Sequence, residues 1–187
     1  IHRAKSVFLD NKPKIITYDG RYKLGCEGII YVLIEPFFIT NNFTTHFSNT
    51  ILKREKLKIE SRFIKENEAF GDFGSIVTFE NNEQIEFSKT FKTKNAKKLE
   101  LFSQIIQPSF KLIIIGSEHD AVKLCKISSN LGWEVDVITC LKDSKKVKDF
   151  PGSNSVTGNS PETIKFTNIE ENTAIVIMNH SYVQDLK

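Results

Sequence analysis

Three short stretches of this 187-residue chain carry side chains that can do chemistry at a ligand. In Gly116-Ser117-Glu118-His119-Asp120-Ala121 a glycine follows the apolar run KLIII and precedes a helical pattern. A strand mouth of that kind offers free backbone N–H groups and the positive end of a helix dipole to an anion such as phosphate. Glu118, however, stands where a dinucleotide-binding loop takes its second glycine, which lets backbone approach a pyrophosphate. Two like charges about 4 Å apart at an effective dielectric near 20 repel by roughly 4 kcal/mol, close to a thousandfold in affinity. Ordinary dinucleotide binding therefore needs the Glu118 side chain turned outward. The alternative is structural: Ser117 caps the helix, Asp120 complements its dipole, and nothing binds there.

The second stretch is Leu24-Gly25-Cys26-Glu27-Gly28, which sets a thiol between two glycines ahead of an apolar run. A thiolate there is a soft, nucleophilic group whose reactivity depends on a lowered pKa. A free cysteine is also a common buried hydrophobe. The third is Asn179-His180, just past TAIVIM, with Asp185 downstream. His180 can hydrogen-bond a ligand or orient a loop, and His119 at the other strand mouth can join it. Two histidines make no metal site without a third ligand. Cys125 falls on an apolar helical face and reads as core, while Cys140 follows the second strand at the edge where ligands bind in such folds.

The elements that must position these residues fall into two domains, 1–107 and 108–187. The first reads as α+β and mostly β: strands in KIITY (14–18) and GIIYVLIE (28–35), a helix over 45–54 behind an Asn41-Asn42 breaker, and a half-buried strand in LKIESRFI. SIVTFE and QIEFSK flank Asn81 and Asn82 as a hairpin. KTKNAKKLELFSQIIQPS carries Leu99, Phe102, Ile105 and Ile106 at helical spacing and predicts a helix ending at Pro108. The second domain reads as an α/β, Rossmann-like βαβ unit with a parallel sheet. KLIIIG is a strand of the kind buried on both faces. A helix follows with Ala121, Val122, Leu124, Cys125, Ser128 and Leu131 on one side; Gly132 ends it, and WEVDVIT is the next strand. The segment 142–161 reads as a long loop, a lid or mobile segment, and TIKFT and TAIVIM as two further strands.

Net charge is +3 and three cysteines lack any CxxC spacing, so neither a disulfide framework nor a structural zinc site is expected. The lysine clusters lack aromatic interleaving, which argues against a nucleic-acid partner. No run approaches the roughly 20 apolar residues of a membrane span, and a soluble, cytoplasmic protein is expected. The chain opens on Ile1, so residues upstream are expected to be missing.

ITYDGRYKLGCEGIIYVLIEP, GSEHDA, LGWEV, DFPGSN and TAIVIMNHSYVQDL occur here in the order found in the XdhC/CoxI family, accessory factors of xanthine dehydrogenase-type molybdenum enzymes, which the chain resembles. The resemblance implies an XdhC/CoxI-type domain followed by a Rossmann-like domain, with a further cysteine-containing motif upstream of Ile1. It implies a binding protein without turnover of its own, which holds molybdenum cofactor (molybdopterin) and assists its sulfuration and insertion. The implied partners are a xanthine dehydrogenase-type enzyme, a cysteine desulfurase and a second copy of the chain. Its ligand residues would be Cys26, Gly116, Ser117, Glu118, His119, Asp120 and His180. Thr139 stands where the family usually has aspartate, Leu141 where it often has arginine, and Asn179 replaces a usual threonine. These departures speak against NAD. A nicotinamide-dependent oxidoreductase and a non-binding interaction protein remain the alternatives.

Overall fold

The computed structural model describes the chain except residues 1–3, 23–27, 90, 92–98, 144, 167–168 and 187, and the side chains of Tyr22 and Gln184. It divides into two units, Ile1–Gln107 and Pro108–Lys187.

The N-terminal unit runs α1 (Lys5–Asp10), β1 (Lys14–Asp19), β2 (Ile29–Ile34), α2 (Asn41–Leu52), β3 (Leu57–Phe63), β4 (Gly74–Thr78), β5 (Gln84–Glu86) and β6 (Glu100–Ile106). β1 and β2 form an antiparallel hairpin; the other four make an antiparallel sheet ordered β5-β4-β3-β6. Alternation along β3 turns Leu57 and Ile59 to one face, where Val77 and Phe79 join them and α2 lays Phe43 across the cluster. Asn82 takes a φ of 64° between β4 and β5, as the paired asparagines predict.

Two expectations fail in this unit. The α2 helix starts at Asn41, because Thr40 caps it by accepting from the Phe43 N–H at 3.2 Å, and the two asparagines form its first turn. Glu100–Ile106 is a strand, not a helix. Its Leu101, Phe102, Ile105 and Ile106 are all exposed, and apolar residues on both faces of an edge strand imitate helical spacing.

The β1–β2 hairpin is tied to the larger sheet through Glu35, just past β2. Its carboxylate accepts from the Ser75 N–H at 2.9 Å and from the Ser75 hydroxyl, and Ser61 Oγ lies 2.7 Å from Ser75 Oγ. Burial pushes the Glu35 carboxyl above its usual range, against the pull of the Ser75 bonds. The fold thus favours the protonated acid. Its contribution is complete below the ordinary glutamate value and is lost as pH rises through the raised one. Chemical unfolding from pH 4 to 8 should show that loss, and Glu35→Gln should flatten it; an unchanged profile in the variant would assign the pH dependence elsewhere.

The C-terminal unit runs β7 (Lys111–Ile115), α3 (His119–Asn130), β8 (Glu134–Cys140), β9 (Ser155–Asn159), β10 (Thr173–Ile177) and α4 (Tyr182–Asp185). The strands are parallel, in the order β10-β7-β8-β9. α3 covers one face, where Leu112, Ile114, Ala121, Cys125, Val135, Val137 and Phe150 form a closed core. Cys125 is packing, as its place on the helical stripe implies, and burial raises its thiol. Leu131 lies beyond the stripe and is exposed. Gly132 follows it at φ +82°, and the Trp133 N–H turns back to the Ser128 carbonyl.

β7 is sealed on one face rather than both. Lys111 and Ile113 are half-buried and face a side that, among the described residues, carries the crossover after β9, through Lys165, Phe166 and Ile169. Part of the segment expected as a lid is β9, whose backbone pairs with residues 136–140 although Gly158 and three polar side chains hide it as a strand. TIKFT is not a strand: Pro161–Thr163 is a 3₁₀ turn, and residues 164–166 carry no regular structure.

Candidate functional site

The strand order reverses direction between β7 and β10. Chain connections leave the sheet to opposite sides there, opening the crevice that ligands use in such folds. Two backbone contacts close its floor. The Met178 N–H donates to the Ile115 carbonyl at 2.7 Å, and the Gly116 N–H donates to the Ile138 carbonyl at 2.9 Å. Gly116 sits at φ +145°, and a Cβ on it would lie 2.3 Å from the Met178 carbonyl oxygen. Only glycine fits, for both conformation and space. Gly116→Ala should cost about 2 kcal/mol or more in denaturant unfolding; a loss below about 0.5 kcal/mol would mean that β10 yields freely.

Above this floor the structure brings Asp120 and His180 together. His180 Nε2 lies 2.7 Å from Asp120 Oδ2, and Asp120 Oδ1 accepts from the Ala121 N–H at 2.9 Å. His180 holds a left-handed φ of 55°, which turns its ring back over the crevice. The hydrogen bond it donates to Asp120, then the charge of Asp120 and those of Glu118 and Asp185, raise the imidazole above its usual value; the same bond lowers the Asp120 carboxyl. The sign follows for each partner. The pair is complete between about pH 4 and 6.5, opens as pH rises through the raised His180 value, and opens again as pH falls through the lowered Asp120 value. Proton NMR should place the His180 midpoint above about 6.5, and Asp120→Asn should return it there. A midpoint indifferent to that substitution would deny the pair in solution.

Ser117 does not cap α3. Glu118 is the N-cap residue, extended and exposed, with no side-chain bond to the helix. Ser117 instead bonds the Asp143 carboxylate, which this contact holds below its usual range, and Lys145 Nζ donates to the Ser117 carbonyl while standing 3.8 Å from Asp143 Oδ2. Neither residue follows from motif spacing; the only signal in the sequence is an acid and a base soon after the second strand. Thr139, the position read as facing a ribose, is 2% exposed. His119 is exposed at the start of α3, and among the described residues no hydrogen bond joins it to His180.

Beside the crevice, on the face away from α3, lies a cavity of about 240 Å³. Ile115 and Ile177, the last residues of β7 and β10, form its floor, and Pro161, Ile164 and Phe166 of the crossover its wall. Asn179 and Asp185 are its polar end, with Asn179 Nδ2 donating to Asp185 Oδ1 at 2.9 Å. Asn179 and Asp185 belong to the third stretch singled out in the sequence, whereas Pro161, Ile164 and Phe166 were not expected from motif spacing. Cys26 lies outside the described residues. Among those described, no group of three His, Cys, Asp or Glu side chains could hold a metal, and no helix is long and apolar enough to cross a membrane.

The sequence profile of the XdhC Rossmann domain matches residues 112–187, the sheet and crevice just described. The C-terminal unit is thus similar to the XdhC Rossmann domain. Over 98% of its length the chain also superposes on the crystal structure of a xanthine dehydrogenase from Bacillus halodurans, with a TM-score of 0.73 and 18% sequence identity. That likeness is one of fold. The chain spans 59% of that protein's length. No curated protein matches the chain.

Proposed function

We propose that the chain is an XdhC-type accessory protein that binds molybdenum cofactor and hands it to a xanthine dehydrogenase-type enzyme. The observation that carries this is the crevice of an XdhC Rossmann unit with an apolar cavity and a polar end at its side. The residues fit the organic part of the cofactor. The cavity accepts a ring. They do not supply a set of metal ligands, so the metal would depend on Cys26 or on groups outside the described residues. A cysteine desulfurase, as sulfur donor, and a second copy of the chain complete the proposed partners.

The mouth suits a dinucleotide poorly. Glu118, Asp120, Asp143 and Asp185 stand around it, and a pyrophosphate would meet their field with Lys145 and protonated His180 as counter-charges. Titrating the purified chain with molybdenum cofactor and with NAD, followed by absorbance and thermal shift, separates the readings. Stabilisation by the cofactor alone is expected. Stabilisation by NAD alone would overturn the proposal, and stabilisation by neither would favour an interaction protein that has lost its site.

A further inference from the structure

We propose that the cavity between Ile177 and Phe166 receives a flat 2-aminopyrimidin-4-one ring, the headpiece of a pterin, with its N–H edge on the Asp185 carboxylate. The inference rests on the function proposed above and says which part of the ligand binds where. Three features lead to it. The walls are apolar, from strand ends on one side and the crossover on the other, which suits the faces of a ring and not a hydroxylated sugar. The volume, about 240 Å³, is below that of sites for drug-sized ligands and matches one ring system rather than a dinucleotide.

The third feature is the polar end. A carboxylate offers about four acceptor positions, and Asn179 occupies one of them on Asp185 Oδ1, fixing the group. What remains is a planar pair of acceptors. An aminopyrimidinone presents the complementary pair of donors, the ring N3–H and the exocyclic amine, side by side in its plane. Asn179 is thereby a positioning residue and Asp185 the reader. A purine lacking the amine beside a ring N–H, or a ring with oxygen in place of that amine, offers one donor fewer and leaves one carboxylate oxygen without its partner.

The test uses the full chain and the fluorescence of pterin-6-carboxylate. Saturable quenching is expected, with competition by molybdenum cofactor. Lumazine, the 2,4-dioxo analogue, should bind at least about tenfold more weakly, and Asp185→Asn should weaken pterin binding by at least as much. Ile177→Trp should abolish it by filling the cavity, with unfolding curves of both variants compared to show that the unit still folds. Equal binding of pterin and lumazine, unchanged binding in Asp185→Asn, or a preference for adenosine would overturn the assignment. If the cofactor stabilises the chain but pterin neither binds nor competes, the ring assignment falls while the proposed function stands. If pterin binds and the cofactor does not, the function falls and the cavity assignment stands; no binding of either removes both.

Discussion

The contact between Gly116 and the Met178 carbonyl is the constraint on which the C-terminal unit depends. It lets β10 run against β7 to the last residue and then turn away from it, so that two strand ends and two departing loops share one edge. With any side chain at 116 those exits would part. Their closeness sets the Asp120–His180 pair on one side of the edge and the Asn179–Asp185 pair on the other. Backbone sterics at one position thus determine which charged groups meet and where the open space lies.

The chemistry of that edge differs from that of a dinucleotide site on the same scaffold. In a Rossmann loop the second glycine clears a path to pyrophosphate, and a carboxylate beyond the second strand receives the ribose. Here Glu118 stands exposed at the loop, and Asp143, past β8, bonds Ser117. The acceptor carboxylate comes instead from α4, after the fourth strand, beside an apolar cavity. As proposed, acceptors beside apolar walls would select for a ring with donors on its edge, a choice that charge alone would not make.

Much of this architecture was legible in the chain. KLIIIG, the Ala121-Cys125-Ser128 stripe, Gly132 and WEVDVIT carry period, cap and strand signals that agree with one another, and the βαβ unit forms where they predict. β9 escaped because an edge strand with Ser155, Thr157 and Gly158 needs ladder bonds more than burial, and no apolar pattern records it. β6 was misread because its apolar residues lie on both faces. At the crevice, strand-mouth positions such as Gly116, Asp120 and His180 could be named from motif and pattern, whereas Asp143 and Lys145 enter through a loop whose path only tertiary structure reveals.

Amide hydrogen exchange, with and without bound molybdenum cofactor, tests most directly that this edge is the ligand site. Protection should appear together in residues 115–121 and 177–186, the two strand ends and the segments leaving them. Protection confined to the N-terminal unit, for instance along the groove between Thr40 and β5, with those two segments unchanged, would contradict the account.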